Sequence, residues 1–107
     1  MVITEIHAGV CGFRTTVKGR SDDMQNVIIE MESTCEKITA LAADIKTVDA
    51  YAEIGEGFDG TVLTAVRARL RGCCAGCAVP SGIFKTVQVA GGVALPAPIS
   101  ITIQKTD

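Results

Sequence analysis

Tryptophan is absent from this chain, and its aromatic residues are only three Phe and one Tyr. Its core must therefore be aliphatic and alanine-rich. A base-stacking surface of the kind that holds single-stranded nucleic acid is excluded, because it needs several exposed rings. Positive charge is also short. Ten Lys and Arg stand against twelve Asp and Glu, for a net charge of -2, so no footprint for a phosphate backbone exists and no nucleic-acid partner is expected. The single histidine, His7, alternates with Ile3 and Glu5 on the face expected to meet water. No glycine-rich phosphate loop is present, since Gly55-Glu56-Gly57 lies in an acidic segment that would repel phosphate. The acids between Asp44 and Asp59 fit no calcium loop and read as a solvated linker. The longest low-charge stretch, Gly72 to Ile103, is broken by Lys85, three prolines and Gly91-Gly92, so no membrane span and no membrane partner is expected. Met1 to Glu5 carries neither a charged n-region nor an apolar h-region. A cytoplasmic location is the expectation, and thiols stay reduced there.

What is present is cysteine. The 107 residues suit one domain, 1–107, and 48% of them are apolar, enough to build a core without staples. Five cysteines are spread as Cys11, Cys35 and the cluster Cys73, Cys74 and Cys77. An odd number leaves at least one thiol unpaired, and in a reducing compartment such a set points to metal binding or redox chemistry before disulfides.

Period-two alternation predicts strands over Val2–Ala8, Phe13–Lys18 and Val27–Glu32, with Gly19 to Asp23 as the polar turn of a hairpin. Ser33 and Glu36 form a capping-box pattern that opens a helix through Ile38, Leu41, Ala42 and Ile45. A short helix around Ala50-Tyr51-Ala52 fits within the acidic linker. A further helix follows Thr61 and stops at Gly72, with Arg67, Arg69 and Arg71 as its solvated, dipole-compatible end. Pro80-Ser81 opens another, from Gly82 to Ala90. Leu95-Pro96-Ala97-Pro98 is extended, and Ile99, Ile101 and Ile103 alternate with Ser100, Thr102 and Gln104 as a last strand. The expected class is α+β: an antiparallel sheet, made of a hairpin meander plus a C-terminal strand, with helices packed on one face.

Strand parity lets the thiols meet. Pairing Phe13 with Met31 and Val17 with Val27 puts Cys11 opposite Ser33, with Cys35 one step beyond, both at the open end of the hairpin and facing the core, unless a bulge at Gly9 or Gly12 flips Cys11 to the other face. Cys35 also begins a helix, where unpaired amides favour negative charge. If the Gly72–Cys77 loop crosses that end, Cys11, Cys35, Cys74 and Cys77 form a four-thiolate site suited to tetrahedral zinc or an iron–sulfur cluster, with Cys73 as an alternative ligand. A single C-x-x-C is weak evidence for this. Two other readings stand beside it. Cys74 and Cys77 precede a helix, as a dithiol/disulfide redox pair does. Buried cysteines also pack as small hydrophobes, which would leave a non-enzymatic interaction module, dimerising through the low-charge C-terminal third. No catalytic constellation is evident, so the residues name no reaction.

Three blocks carry a family likeness. Val10-Cys11-Gly12-Phe13, Glu32-Ser33-Thr34-Cys35 and Cys77-Ala78-Val79-Pro80-Ser81-Gly82-Ile83-Phe84-Lys85, closing on Ala90-Gly91-Gly92-Val93-Ala94-Leu95-Pro96, resemble a small uncharacterised prokaryotic protein family found mainly in anaerobic bacteria and archaea. The resemblance spans nearly the whole chain. In that family a proline follows the last cysteine, where this chain has Ala78. The resemblance aligns the cysteines and implies no activity; an anaerobic setting is compatible with an oxygen-sensitive cluster.

Overall fold

The computed structural model describes residues 1–107. Three strands follow one another: β1 (Val2–His7), β2 (Arg14–Arg20) and β3 (Asn26–Ser33). Then come α1 (Glu36–Asp44), β4 (Thr47–Asp49), α2 (Ala50–Glu56), α3 (Thr61–Arg69) and α4 (Val79–Ala90), with single 3₁₀ turns at Gly57–Asp59 and Gly72–Gly76. The sheet is antiparallel in the order β1-β2-β3-β4. The fold is α+β, with the helices on one face. Alternation explains the choice of face: Thr15 and Val17 of β2, and Val27 and Ile29 of β3, are buried while their neighbours are not.

The fourth strand is not the C-terminal one expected from the isoleucine alternation. Thr47–Asp49 takes that place beside β3, and Ile99–Ile103 forms no strand. The α1 stripe conceals β4, because Ile45 continues the helical spacing although the helix ends at Asp44. Ile45 and Val48 are buried instead as extended residues.

The hairpin register also departs from expectation. Val17 pairs with Met31 and Thr15 with Ser33, a shift of four residues that preserves every side chain's face. The turn is Ser21–Gln25, because Asp23 organises it. Its Oδ1 accepts from the Gln25 and Asn26 amides and the Ser21 hydroxyl, and Oδ2 accepts from Asn26 Nδ2. These donors hold the Asp23 carboxyl far below the usual range. Met24 adopts φ 59° there. Gly19 consequently belongs to β2, where its lack of a side chain serves close approach: a Cβ would come within 2.9 Å of Thr86 Cγ2 on α4.

Helix α4 is the main support of the sheet. Val79, Ile83 and Val87 are fully covered at helical spacing, each contributing about 1.5–3 kcal/mol of apolar burial. Thr86 is buried with its hydroxyl satisfied by Gly82 O at 2.7 Å and Thr4 Oγ1 at 2.6 Å. Gly82 faces Ile6 and Thr4, while Thr86 and Ala90 face Gly19 and Gly91 faces Ala50 and Val27. The helix therefore runs from the His7 end of β1 towards its Val2 end.

Glu53 of α2 is 2% exposed. Its Oε1 accepts from the Val62 amide at 3.0 Å, capping α3 from another helix, while Oε2 has no partner. Burial pushes its carboxyl above the ordinary value, and the nearby acids Glu56 and Asp49 push the same way, against the amides of Val62 and Thr61. A folded value above the unfolded one means that the folded state holds the proton more tightly. The associated stability is full below the ordinary carboxyl range and is lost as pH rises through the raised value. Thermal melts from about pH 4 to about pH 8 should show this decline, and Glu53→Gln should remove it; equal slopes for the two proteins would contradict this role.

Candidate functional site: a cysteine pole

The antiparallel pairing brings the C-terminal end of β1, the N-terminal end of β2 and the C-terminal end of β3 together. Helix α1 starts there, directly after β3, and α4 starts beside Ile6. Every cysteine belongs to a segment that ends or begins at this pole, and all five thiols are free.

Their environments differ. Cys35 is the N-cap residue of α1 (φ -91°, ψ 124°). It is half-buried against the core, its amide donates to Ser33 Oγ at 3.1 Å, and its carbonyl accepts from the Thr39 amide and hydroxyl, each at 3.0 Å. The capping box expected from Ser33 and Glu36 does not form. Ser33 Oγ is committed to Cys35 N and to Thr15 Oγ1, 2.8 Å away, and no side chain caps α1. Cys11 is exposed rather than core-facing. It sits in the Ala8–Phe13 connection, where Gly9 and Gly12 take φ +86° and +73°, and its Sγ lies 3.9 Å from Ala8 O.

The Gly72–Gly76 turn carries Cys73 and Cys74, and Cys77 directly follows it. The Cys77 amide donates to the Cys74 carbonyl at 3.1 Å. That i-to-i+3 closure holds the two Cα atoms within about 7 Å, the range a disulfide can span. Both side chains are half-buried against the core. Cys77 Sγ accepts from the Val79 amide at 3.4 Å, one of the free amides at the start of α4. Lys37 Nζ donates to Cys74 Sγ at 3.3 Å, so the turn reaches the first turn of α1. Cys73 is exposed. The sequence pattern expected the cysteine loop to reach this end of the hairpin, but Lys37 had no signal of its own: only the packed turn selects it.

The four-thiol set Cys11, Cys35, Cys74 and Cys77 is not drawn together. No group of three or more His, Cys, Asp or Glu side chains is close enough to hold a metal ion. His7 is exposed, as its alternation implied. Arg69 leaves the site for a two-contact pair with Asp44 at 2.7 and 3.2 Å, which lowers the Asp44 carboxyl, and Arg67 donates to the Phe58 carbonyl and lies 3.7 Å from Asp59. No helix is long and apolar enough to cross a membrane.

These features define an α+β protein with a C-x-x-C turn, its two thiols unpaired, leading into its principal helix. The chain belongs to a family of unknown function, DUF6951, whose model matches residues 2–103. No curated protein and no solved structure matches it.

Proposed function

We propose that the protein is a dithiol/disulfide redox protein in which Cys74 and Cys77 are the reacting pair. The observation that carries this reading is the closed Cys74–Cys77 turn at the start of α4, with Lys37 on one sulfur and the Val79 amide on the other. In the forward direction the Cys74 thiolate attacks a substrate disulfide. A Cys74–substrate bond forms, and one substrate sulfur leaves as thiolate. The Cys77 thiolate then attacks Cys74 Sγ, the mixed disulfide breaks, and the second substrate thiolate leaves. The two thiol protons pass to the released thiolates, and two electrons have moved from the pair to the substrate. Lys37 and the Val79 amide each face a sulfur that carries negative charge along this path. Potentiometric titration with a glutathione or dithiothreitol couple tests this. A single two-electron transition that consumes two thiols is expected, and five thiols that titrate independently would sink the proposal.

A second reading is kept by one observation: all five cysteines come from segments that meet at the same pole. Zinc or an iron–sulfur cluster held by Cys11, Cys35, Cys74 and Cys77, with Cys73 as the alternative ligand, needs Cys11 to swing inward. That movement would have to open the Ala8–Phe13 connection, which is closed by the Gly12 amide donating to Gly9 O at 2.9 Å and the Ala8 amide donating to Phe13 O at 3.1 Å. Anaerobic purification without chelator, followed by metal analysis, separates the two. Stoichiometric metal that is lost in Cys35→Ser carries the metal reading; metal-free protein with the two-electron couple carries the dithiol reading.

A further inference from the structure

The C-terminal segment lies beside β1 without being joined to it. Pro96–Ile101 and all six residues of β1 line the same cleft of about 720 Å³, together with Lys85 and Val89 of α4. β1 is an edge of the sheet, paired only to β2, so its outer amides and carbonyls are an open template. Beyond Val93, whose amide donates to Gln88 O, no residue makes a backbone hydrogen bond. Ile99, Ile101 and Ile103 are 56%, 73% and 90% exposed. Apolar side chains in water and an unpaired edge next to them are two liabilities that a single closure removes.

Proline parity says which edge of the segment can pair. In an extended strand the N–H and C=O of one residue point to one edge, and those of the next residue to the opposite edge. Pro96 and Pro98, which have no N–H, share an edge with Ser100 and Thr102. Ala97, Ile99, Ile101 and Ile103 hold the other edge, where no donor is missing. Proline is tolerated in a sheet where its edge meets solvent. The odd-numbered residues are therefore the ones that can face β1, and the proline edge left outside stops a further strand from adding. Burial chooses the face. The three isoleucines alternate onto one side, and Thr4 and Ile6 of β1 face α4. An isoleucine row on that same side covers the exposed α4 residues Ser81 and Lys85, which line the cleft. Position selects the occupant, since the segment already lines the cleft it would fill. We infer that residues 97–103 are a strap that closes on β1 of its own chain as the fifth and terminal strand. The hinge is Gly91-Gly92, where the chain leaves α4 and Gly92 takes φ +78°. This inference is independent of the thiol chemistry.

Residue-resolved amide hydrogen exchange of the full chain, at micromolar and at millimolar concentration, tests it. The amides of Ile99, Ile101 and Ile103 should exchange at least roughly tenfold more slowly than in an unstructured chain, equally at both concentrations. Those of Ser100 and Thr102, on the outer edge, should exchange freely. Two variants probe the same parity. Ser100→Pro adds a third proline to the outer edge and should keep the protection of its odd-numbered neighbours. Ile101→Pro removes an inward donor and should abolish the protection of Ile99 and Ile103, with helical circular dichroism unchanged in both variants. Four results would each overturn the inference: no protection anywhere in the segment, equal protection at odd and even positions, protection that grows with protein concentration (pairing with a second copy), or loss of protection in Ser100→Pro.

Discussion

Cys74→Ser and Cys77→Ser should each abolish the two-electron couple, whereas Cys73→Ser and Cys11→Ser should leave it intact. The geometry sets this contrast. Cys74 and Cys77 close their own turn through a backbone hydrogen bond, so neither sulfur has to cross the protein to reach the other. Cys73 is one residue away but exposed and outside that closure, and Cys11 is in a separate connection. In thiol counts after mild oxidation, the wild type and the two control variants should each lose two thiols. The Cys74 and Cys77 variants should lose none. Lys37→Gln is expected to weaken the reaction without ending it. An exposed cation beside a charged partner is worth about 0.2–1 kcal/mol, so the rate of disulfide closure should fall by no more than about fivefold. A loss far larger than that would make Lys37 indispensable to the chemistry, and no change would remove it from the site.

Gly82→Val should be the most damaging single change to the fold. A Cβ at Gly82 would collide with Ile6 Cδ1 and come within 2.9 Å of Cγ1, and valine adds two further methyl groups. The atoms it meets are the end of the Ile6 side chain, but Ile6 belongs to the core, so moving it aside gives up packing against α4. Overpacking of this kind costs about 3 kcal/mol, against a total stability of roughly 5–15 kcal/mol for a small domain. The gain from replacing a helical glycine, about 1 kcal/mol at most, does not offset it. The melting temperature should fall by roughly 10–20 °C. Gly55→Ala, in the open on α2 with nothing within 4 Å, is the control and should be neutral or slightly stabilising. Gly82→Val with Ile6→Ala should recover part of the loss, because the two positions share one contact. If Gly82→Val melts like the wild type, the packing of α4 on β1 is not as described.

Gly82 also shows where the sequence was legible and where it was not. The α+β class, the hairpin, and the helices at Leu41, Val66 and Val87 follow from periodicity, because burial on one face demands it. The dithiol turn before α4 follows from Cys74-Ala75-Gly76-Cys77 and Pro80. Periodicity is blind to glycine's second use. Gly19 looks like a turn and proves to be a strand residue against α4, and that moved the hairpin register by four. Ser33 and Glu36 matched a capping pattern, but the Ser33 hydroxyl found partners across the sheet that no local rule contains. β4 is three residues long and hidden behind a helical stripe. Ile99, Ile101 and Ile103 alternate as a strand should, yet they form none, because alternation does not supply the backbone hydrogen bonds to a neighbour that a strand requires. Even parity kept the cysteine-bearing ends together through the register error. It left the facing of Cys11 to Gly9 and Gly12, which take positive φ and leave Cys11 exposed.

The proposed dithiol chemistry rests on the closed turn between Cys74 and Cys77. Brief oxidation of the reduced full-length protein, followed by blocking of the remaining thiols and peptide mapping, reads it directly. A Cys74–Cys77 disulfide, with Cys11, Cys35 and Cys73 recovered as blocked thiols, is the expected result. A first disulfide joining Cys35 to Cys74 or Cys77, or Cys11 to any of them, would contradict the account and place the chemistry in the wider four-thiol pole.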